Sequence, residues 1–264
     1  MLGAIAGDII GSIYEYRSIK TTDFPLFGKD CEFTDDSVLT IAVADALMGE
    51  RNFAERFRTY ARRYPDAGYG GMFKGWVAAD GAGPYNSYGN GSAMRVSPVA
   101  WIAESEDEVL RLAAATADVT HNHREGIKGA KATALAAWLA RQGAKPKEIG
   151  TAVNTAFGYD LETRVDDIRK TYRYDVTSQG SVPQALRCAI EAKSYEHAVR
   201  MAVSLGGDAD TQACIAGAVA EARFGLPGRI AKKAMTYLDD DLRDVVARFR
   251  RRYVKTGLRR LLGL

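Results

Sequence analysis

Alanine supplies 41 and glycine 26 of the 264 residues, and the alanines recur largely at helical spacing. That pattern constrains the fold more than any other feature, because small side chains along a helix face let two backbones approach closely. Around Tyr195 the stripe runs Tyr195, Ala198, Val199, Ala202 and Val203, and Gly206-Gly207 ends it. A helix beginning between Asp208 and Thr211 continues through TQACIAGAVAEARFG, with Gly225 and Pro227 as its stop. The same reading predicts helices over 37–48, 53–64, 106–117, 124–142 and 240–253. Ser181-Val182-Pro183 reads as an N-cap followed by an early-turn proline that opens a further helix. The best strand candidate is 168–176 (IRKTYRYDV), and one arm makes no sheet. Strands and helices do not alternate, so the expectation is an all-α fold in a single domain over 1–264.

Composition narrows the class of chain. At 47% hydrophobic and 26% charged it is ordinary globular material, which excludes wholesale disorder. Cys31, Cys188 and Cys214 form no CxxC pair and leave one over in any pairing, so free thiols and a cytoplasmic protein are expected. The apolar start carries no basic leader and is interrupted by Asp8 and Glu15, so neither a signal peptide nor a membrane partner is expected. The Asn90-Gly91-Ser92 sequon then has no use. Residues 241–264 hold eight Arg/Lys against two Asp, a net +6, which leaves the remainder at −3 of the overall +3. We read this stretch as an amphipathic C-terminal helix with Val245, Val246, Phe249 and Tyr253 docked, rather than a nucleic-acid arm. Between Tyr64 and Ser92 the composition shifts to glycine and tyrosine, the material of either a functional lid or a flexible connector.

Two acid–hydroxyl clusters stand at helix starts: Thr34-Asp35-Asp36-Ser37 and Asp208-Ala209-Asp210-Thr211. Capping accounts for either one alone, since such residues satisfy orphan N–H groups and suit the helix dipole. Together they offer oxygen ligands only, with no Cys or His, which suits Mg²⁺ or Mn²⁺ and not zinc. Helices that pack against each other there would hold two cations about 3.5–4 Å apart. Asp8 and Glu15, seven apart, share a face of an N-terminal helix, and spacing alone places both on its exposed side. His121 and His123 diverge on a helix, where such a pair is more often a polar cap than a metal site, so His123 is left unassigned, and His197 reads as structural.

Five segments in order, GAIAGDIIGSIYE, FTDDSVLTIAVADAL, SYGNGSAMRVSPVAW, VTHNHREGIKGA and SLGGDADTQACIAGAVAEARFG, resemble the ADP-ribosylglycohydrolase family. The resemblance implies a compact all-α fold with a two-metal Mg²⁺ or Mn²⁺ centre, which removes ADP-ribose from arginine or serine side chains or related conjugates. It implies that Thr34, Asp35 and Asp36 ligate one ion, Asp208 and Thr211 the other, and that Asp210 serves both. Glu15 matches the family's acid beside the metals, so Glu15, Asp35 and Asp210 become the candidate catalytic residues. Gly70, Gly71, Met72 and Phe73 match a first ligand loop. Ser87, Tyr88, Gly89, Asn90 and Gly91 match a diphosphate loop, and His121 matches a ligand contact. Ala209, where many relatives carry Thr, and Ser92, where some carry Gly, depart from the pattern. The implied partner is an ADP-ribosylated protein or small conjugate; separately, the sequence carries no interface signal, and a monomer is the default expectation. Two other readings stay open: a non-catalytic ADP-ribose-binding or structural protein of the same fold, and a dinuclear nucleotide phosphohydrolase.

Overall fold

A computed structural model describes residues 1–254. Among them the regular structure is helical, and the one β contact is an isolated antiparallel bridge between Gly89 and Thr177. Helix Ala209–Phe224 forms the centre, with every residue from Ala209 to Glu221 buried. It packs against helices Leu2–Gly11, Tyr195–Val203, Ser178–Glu191 and Arg124–Arg141. A helix apolar or small on every side belongs in the middle of a bundle.

The closest of these contacts is made by glycine. Gly3, Gly7 and Gly11 lie four apart on helix Leu2–Gly11 and face Gly217, Ala213 and Ala209 on the central helix. A Cβ on Gly11 would come within 2.5 Å of the Ala209 carbonyl oxygen, and one on Gly7 would overlap the Ala213 carbonyl. The stripe thus sets the backbones against each other and brings Asp8 and Glu15 to the start of the central helix. Helix Asp35–Met48, nearly as buried, packs on the same N-terminal helix and on helices Phe53–Arg63 and Asp240–Phe249.

Three expectations about elements are corrected. The segment 168–176 is no strand: helix Val165–Thr171 takes its first half. Asp166 and Asp167 occupy the first turn, and Arg169 and Lys170 the last, paired at 2.6 and 2.7 Å across one turn. That charge order favours a helix over the β-prone side chains. The helix expected from Ser181 begins earlier, at Ser178, because Thr177 caps it by accepting from the Gly180 N–H at 3.0 Å. Ser181 Oγ instead donates to the Thr177 carbonyl, and Pro183 lies in the second turn. The stretch 64–92 is not all loop: helix Gly71–Ala78 forms inside it, anchored by buried Phe73 and Trp76. Trp76 Nε1 donates to the Ala82 carbonyl at 3.0 Å, with the Arg58 guanidinium over its ring.

The C-terminal helix runs Asp240–Phe249 and ends in a wider π-type turn over Arg250–Val254. Val245, Val246 and Phe249 are docked and Tyr253 is half-buried, as the amphipathic reading requires. The part of the basic segment beyond residue 254 lies outside the described residues. All three cysteines are buried and free, and no helix of the described residues is long and apolar enough to cross a membrane.

Candidate metal centre and ligand cleft

Thr34 is the N-cap of helix Asp35–Met48, its side chain accepting from the Asp36 N–H at 3.3 Å. Asp208 stands at the same position before helix Ala209–Phe224. Capping and clustering therefore coexist: the two helix starts meet, and Thr211 Oγ1 donates to Asp36 Oδ2 at 3.2 Å across the junction. Ligand oxygens of Asp8, Asp36 and Asp210 all lie within 4.8 Å of one another, and so do those of Glu15, Asp208 and Asp210. Asp210 is common to both groups.

Asp8 is the residue that spacing misplaced. It is fully buried, not on an exposed face. Its Oδ2 accepts from the N–H groups of Thr34 and Ser37 at 3.0 and 3.1 Å and from the Ser37 hydroxyl, while Oδ1 takes the Thr34 hydroxyl at 2.7 Å. Asp8 thereby holds the whole Thr34–Ser37 turn in place. Every residue of helix Leu2–Gly11 is buried, so the helix has no exposed face on which Asp8 could lie.

Electrostatics sets this cluster apart from ordinary caps. Burial lifts Asp8 to about 6 despite its hydrogen bonds. Burial, and after it the charges of Asp8 and Asp208, pushes Asp35 up to about 8. Burial also raises Asp36, Asp210 and Glu15, the first two most, with neighbouring carboxylates adding to it, and it raises Asp208 against the hydrogen bonds that residue makes. Carboxylates packed this closely cannot all ionise without a cation among them. Asp36 Oδ1 is buried with no hydrogen-bond partner, a vacant acceptor where a ligand atom is needed. The donor set is oxygen throughout, so the residues fit hard divalent cations.

The cluster floors a cleft of about 720 Å³. Every site residue expected from the sequence lines it except Tyr88, whose side chain turns out to solvent against His123. The backbone around Tyr88 does hold the site, since its carbonyl accepts the Ser178 N–H at 2.9 Å. Gly70 and Gly71 are not loop residues but the N-cap and first residue of helix Gly71–Ala78, and Met72 and Phe73 lie in its first turn. A Cβ on Gly70 or Gly71 would meet nothing, so packing does not account for these glycines. Asn90 is buried and donates to Asp208 Oδ2 at 2.7 Å and to Ser181 Oγ at 3.1 Å, which ties the second glycine loop to the acid cluster and leaves its sequon unusable. Of the two departures, Ser92 donates to the Gly126 carbonyl and Ala209 packs on Gly11. His123 caps helix Arg124–Arg141, accepting from the Glu125 N–H. His197 accepts from the Lys193 N–H, and neither histidine lines the cleft.

An acid cluster at one end of a cleft and bare glycine backbone along its wall suit hydrolysis of a ligand that carries both hydroxyls and phosphate. Comparison with known proteins gives the particular class. Residues 1–259 match the ADP-ribosylglycohydrolase family, and the chain belongs to it. It is 26% identical to ADP-ribosylhydrolase ARH3 of Mus musculus over 86% of this chain and 83% of that one. It is 25% identical to the ADP-ribosylarginine hydrolase Tri1 of Pseudomonas putida over 86% of this chain and 70% of that one. A solved structure described as an ADP-ribosylglycohydrolase-related protein complex superposes with a TM-score of 0.68 at 25% identity, covering 95% of each chain. The protein is an enzyme of this hydrolase family.

Proposed function

We propose that this enzyme uses two divalent cations, Mg²⁺ or Mn²⁺, to hydrolyse the glycosidic bond between ADP-ribose and its acceptor. The acceptor is an arginine or serine side chain or a small conjugate. The observation that carries the reading is Asp210, shared by two carboxylate groups at the floor of a glycine-walled cleft. Thr34, Asp35 and Asp36 would hold one cation, Asp208 and Thr211 the second, and Asp210 would serve both. Asp8 anchors the Thr34–Ser37 turn, chiefly through Oδ2, and stands in the carboxylate group around Asp210 with Asp36. The cations, when bound, orient the ribose hydroxyls and make a water acidic enough to attack at neutral pH.

The remaining roles belong to the chain. Gly70 and Gly71 offer backbone N–H groups to the diphosphate, joined from the turn Ser87–Gly91 by those of Tyr88 and Gly91, since the N–H groups of Ser87, Gly89 and Asn90 are donated to Thr120 O, Ser87 Oγ and Val176 O. His121, in the cleft beside Gly89 and Gly91, adds a side-chain contact. Glu15, half-buried, with Tyr174 donating to its Oε1 at 3.2 Å, exchanges a proton with the attacking water or the leaving acceptor. The carboxylates around it favour an oxocarbenium-like ribose as the acceptor departs. The exposed Tyr16 and Tyr174 stand where the acceptor must enter. The three buried free thiols suit a reducing, cytoplasmic setting, and we take the chain to act as a monomer.

A panel of arginine-linked, serine-linked and small-molecule ADP-ribose conjugates, with and without EDTA, tests the reading by mass spectrometry. Free ADP-ribose lost on chelation is the expected product. AMP or phosphate in its place would mean a phosphohydrolase, and tight binding with no product on any linkage would mean a binding protein.

A further inference from the structure

Glu15 follows the 3₁₀ turn Ser12–Tyr14 and opens a stretch, 15–34, with no helix or strand of its own. Its carboxylate is nevertheless closely placed. Its oxygens gather with those of Asp208 and Asp210 within 4.8 Å of one another, and Tyr174 donates to Oε1 at 3.2 Å. An irregular chain keeps such a position only if other groups hold it, and two of them lie a few residues further on.

Ser18 Oγ donates to the Gly206 carbonyl at 3.0 Å. Lys20 Nζ donates to the carbonyl of Leu205 and, at 2.8 Å, to that of Tyr172. Tyr172 is the C-cap of helix Val165–Thr171, and Leu205 lies just past helix Tyr195–Val203. Carbonyls at helix ends lack partners within the helix, and the dipole there favours a cation, so one ammonium closes two helix ends. Each end leads straight to the site. Asp208 stands three residues beyond Leu205, and Tyr174 two beyond Tyr172. Lys20 thus ties the chain of Glu15 to the segments that carry its two neighbours.

The glycines before Asp208 fit the same arrangement. Gly206 has φ +68°, and a Cβ there would come within 2.6 Å of Ser18 Oγ and 2.9 Å of Lys20 Cε. A Cβ on Gly207 would overlap the Tyr172 ring. Ending a helix needs one left-handed glycine, and the second is explained by the tyrosine packed on it. We propose that Lys20 is a positioning residue, which by bridging Leu205 and Tyr172 fixes the Glu15 carboxylate against Asp208 and Asp210. Its catalytic consequence rests on the reading of Glu15 as the group that exchanges the proton.

The test compares Lys20→Met, Glu15→Gln and the double variant on ADP-ribosyl-arginine or ADP-ribosyl-serine, whichever the wild type cleaves faster. Lys20 is exposed, so Lys20→Met takes nothing from the core. It is expected to lower kcat about 10-fold or more, with KM and ADP-ribose affinity within about twofold of wild type. Lys20→Arg, which still donates to both carbonyls, should restore most of the rate. In the Glu15→Gln background Lys20→Met should cost less than about twofold, because a residue acting through Glu15 then has nothing to position. A crystal structure of Lys20→Met should show Glu15 displaced from Asp208. Glu15 in its wild-type place overturns the proposal whatever the rate. So does an equal loss of rate in both backgrounds, or a loss of ADP-ribose affinity that matches the loss of rate. Those failures leave Glu15→Gln slow. Glu15→Gln at the wild-type rate would instead overturn the reading of Glu15, and the catalytic consequence with it.

Discussion

Gly71 and Gly7 show at the residue scale how one amino acid answers two demands. Gly71 opens a helix in an ordinary conformation and faces empty space, so Gly71→Ala costs the fold nothing and gains about 0.5–1 kcal/mol of helix propensity. The expected outcome is an unchanged or higher Tm together with about 10-fold weaker ADP-ribose binding by calorimetry. A lower Tm would mean that packing requires the glycine after all. Asp8 gives the opposite pattern. Asp8→Asn puts an amide among groups that all donate, and leaving buried donors unpaired costs about 1–3 kcal/mol. Urea unfolding should show that loss, alongside weakened Mn²⁺ binding, since the Thr34–Ser37 turn loses its anchor. Equal stability would deny Asp8 its role. The sequence carried both acid–hydroxyl clusters in plain view, because they are contiguous. It hid Asp8, because position on a helix face does not tell which face is covered.

At the scale of elements, most helices that caps and apolar spacing defined lie within a residue or two of their expected bounds, while the one expected from Ser181 begins three residues earlier and the last α-helix ends at Phe249, before a π turn. Errors fell where local preference was weak or misleading. Segment 168–176 has the β-branched and aromatic content of a strand, yet its charge order fits a helix, and the bridge to Gly89 is made by Thr177, just beyond it. Helix Gly71–Ala78 went unread because glycine and tyrosine suggested a loop, while burial of Phe73 and Trp76 overrode propensity. Pairing of the N-terminal and central helices is the contact on which the site depends. Gly7→Ala is expected to push them apart, destabilising the fold by several kcal/mol and removing activity, as overpacking at a backbone contact does. Thermal unfolding checks it, and a wild-type Tm would show that the helices can slide without consequence.

For the whole molecule, the acid cluster links stability to pH and to cations. Folded carboxylates raised above their ordinary value hold protons that the unfolded chain has already released. Their contribution is complete below the ordinary value of 3.8 and is lost as pH rises through about 6 for Asp8 and about 8 for Asp35. The cation-free protein is therefore expected to melt lower at pH 8.5 than at pH 5.5, roughly spanning those two values, and Mg²⁺ or Mn²⁺ to raise Tm most at the alkaline end. A metal-independent Tm at both pH values would mean that the cluster holds no cation. Fold class and both ligand clusters could be read from residue order. The way three separate segments converge on Asp210 could not, because it depends on backbone contacts between helices far apart in the chain.

The most direct measurement is the rate of free ADP-ribose release by Asp210→Ala against the wild type at saturating Mg²⁺ and at saturating Mn²⁺. Because Asp210 belongs to both carboxylate groups, its loss should cost on the order of 10²-fold or more, with no rescue by added cation. A rate within about threefold of wild type would contradict the shared role of Asp210 and with it the two-cation centre.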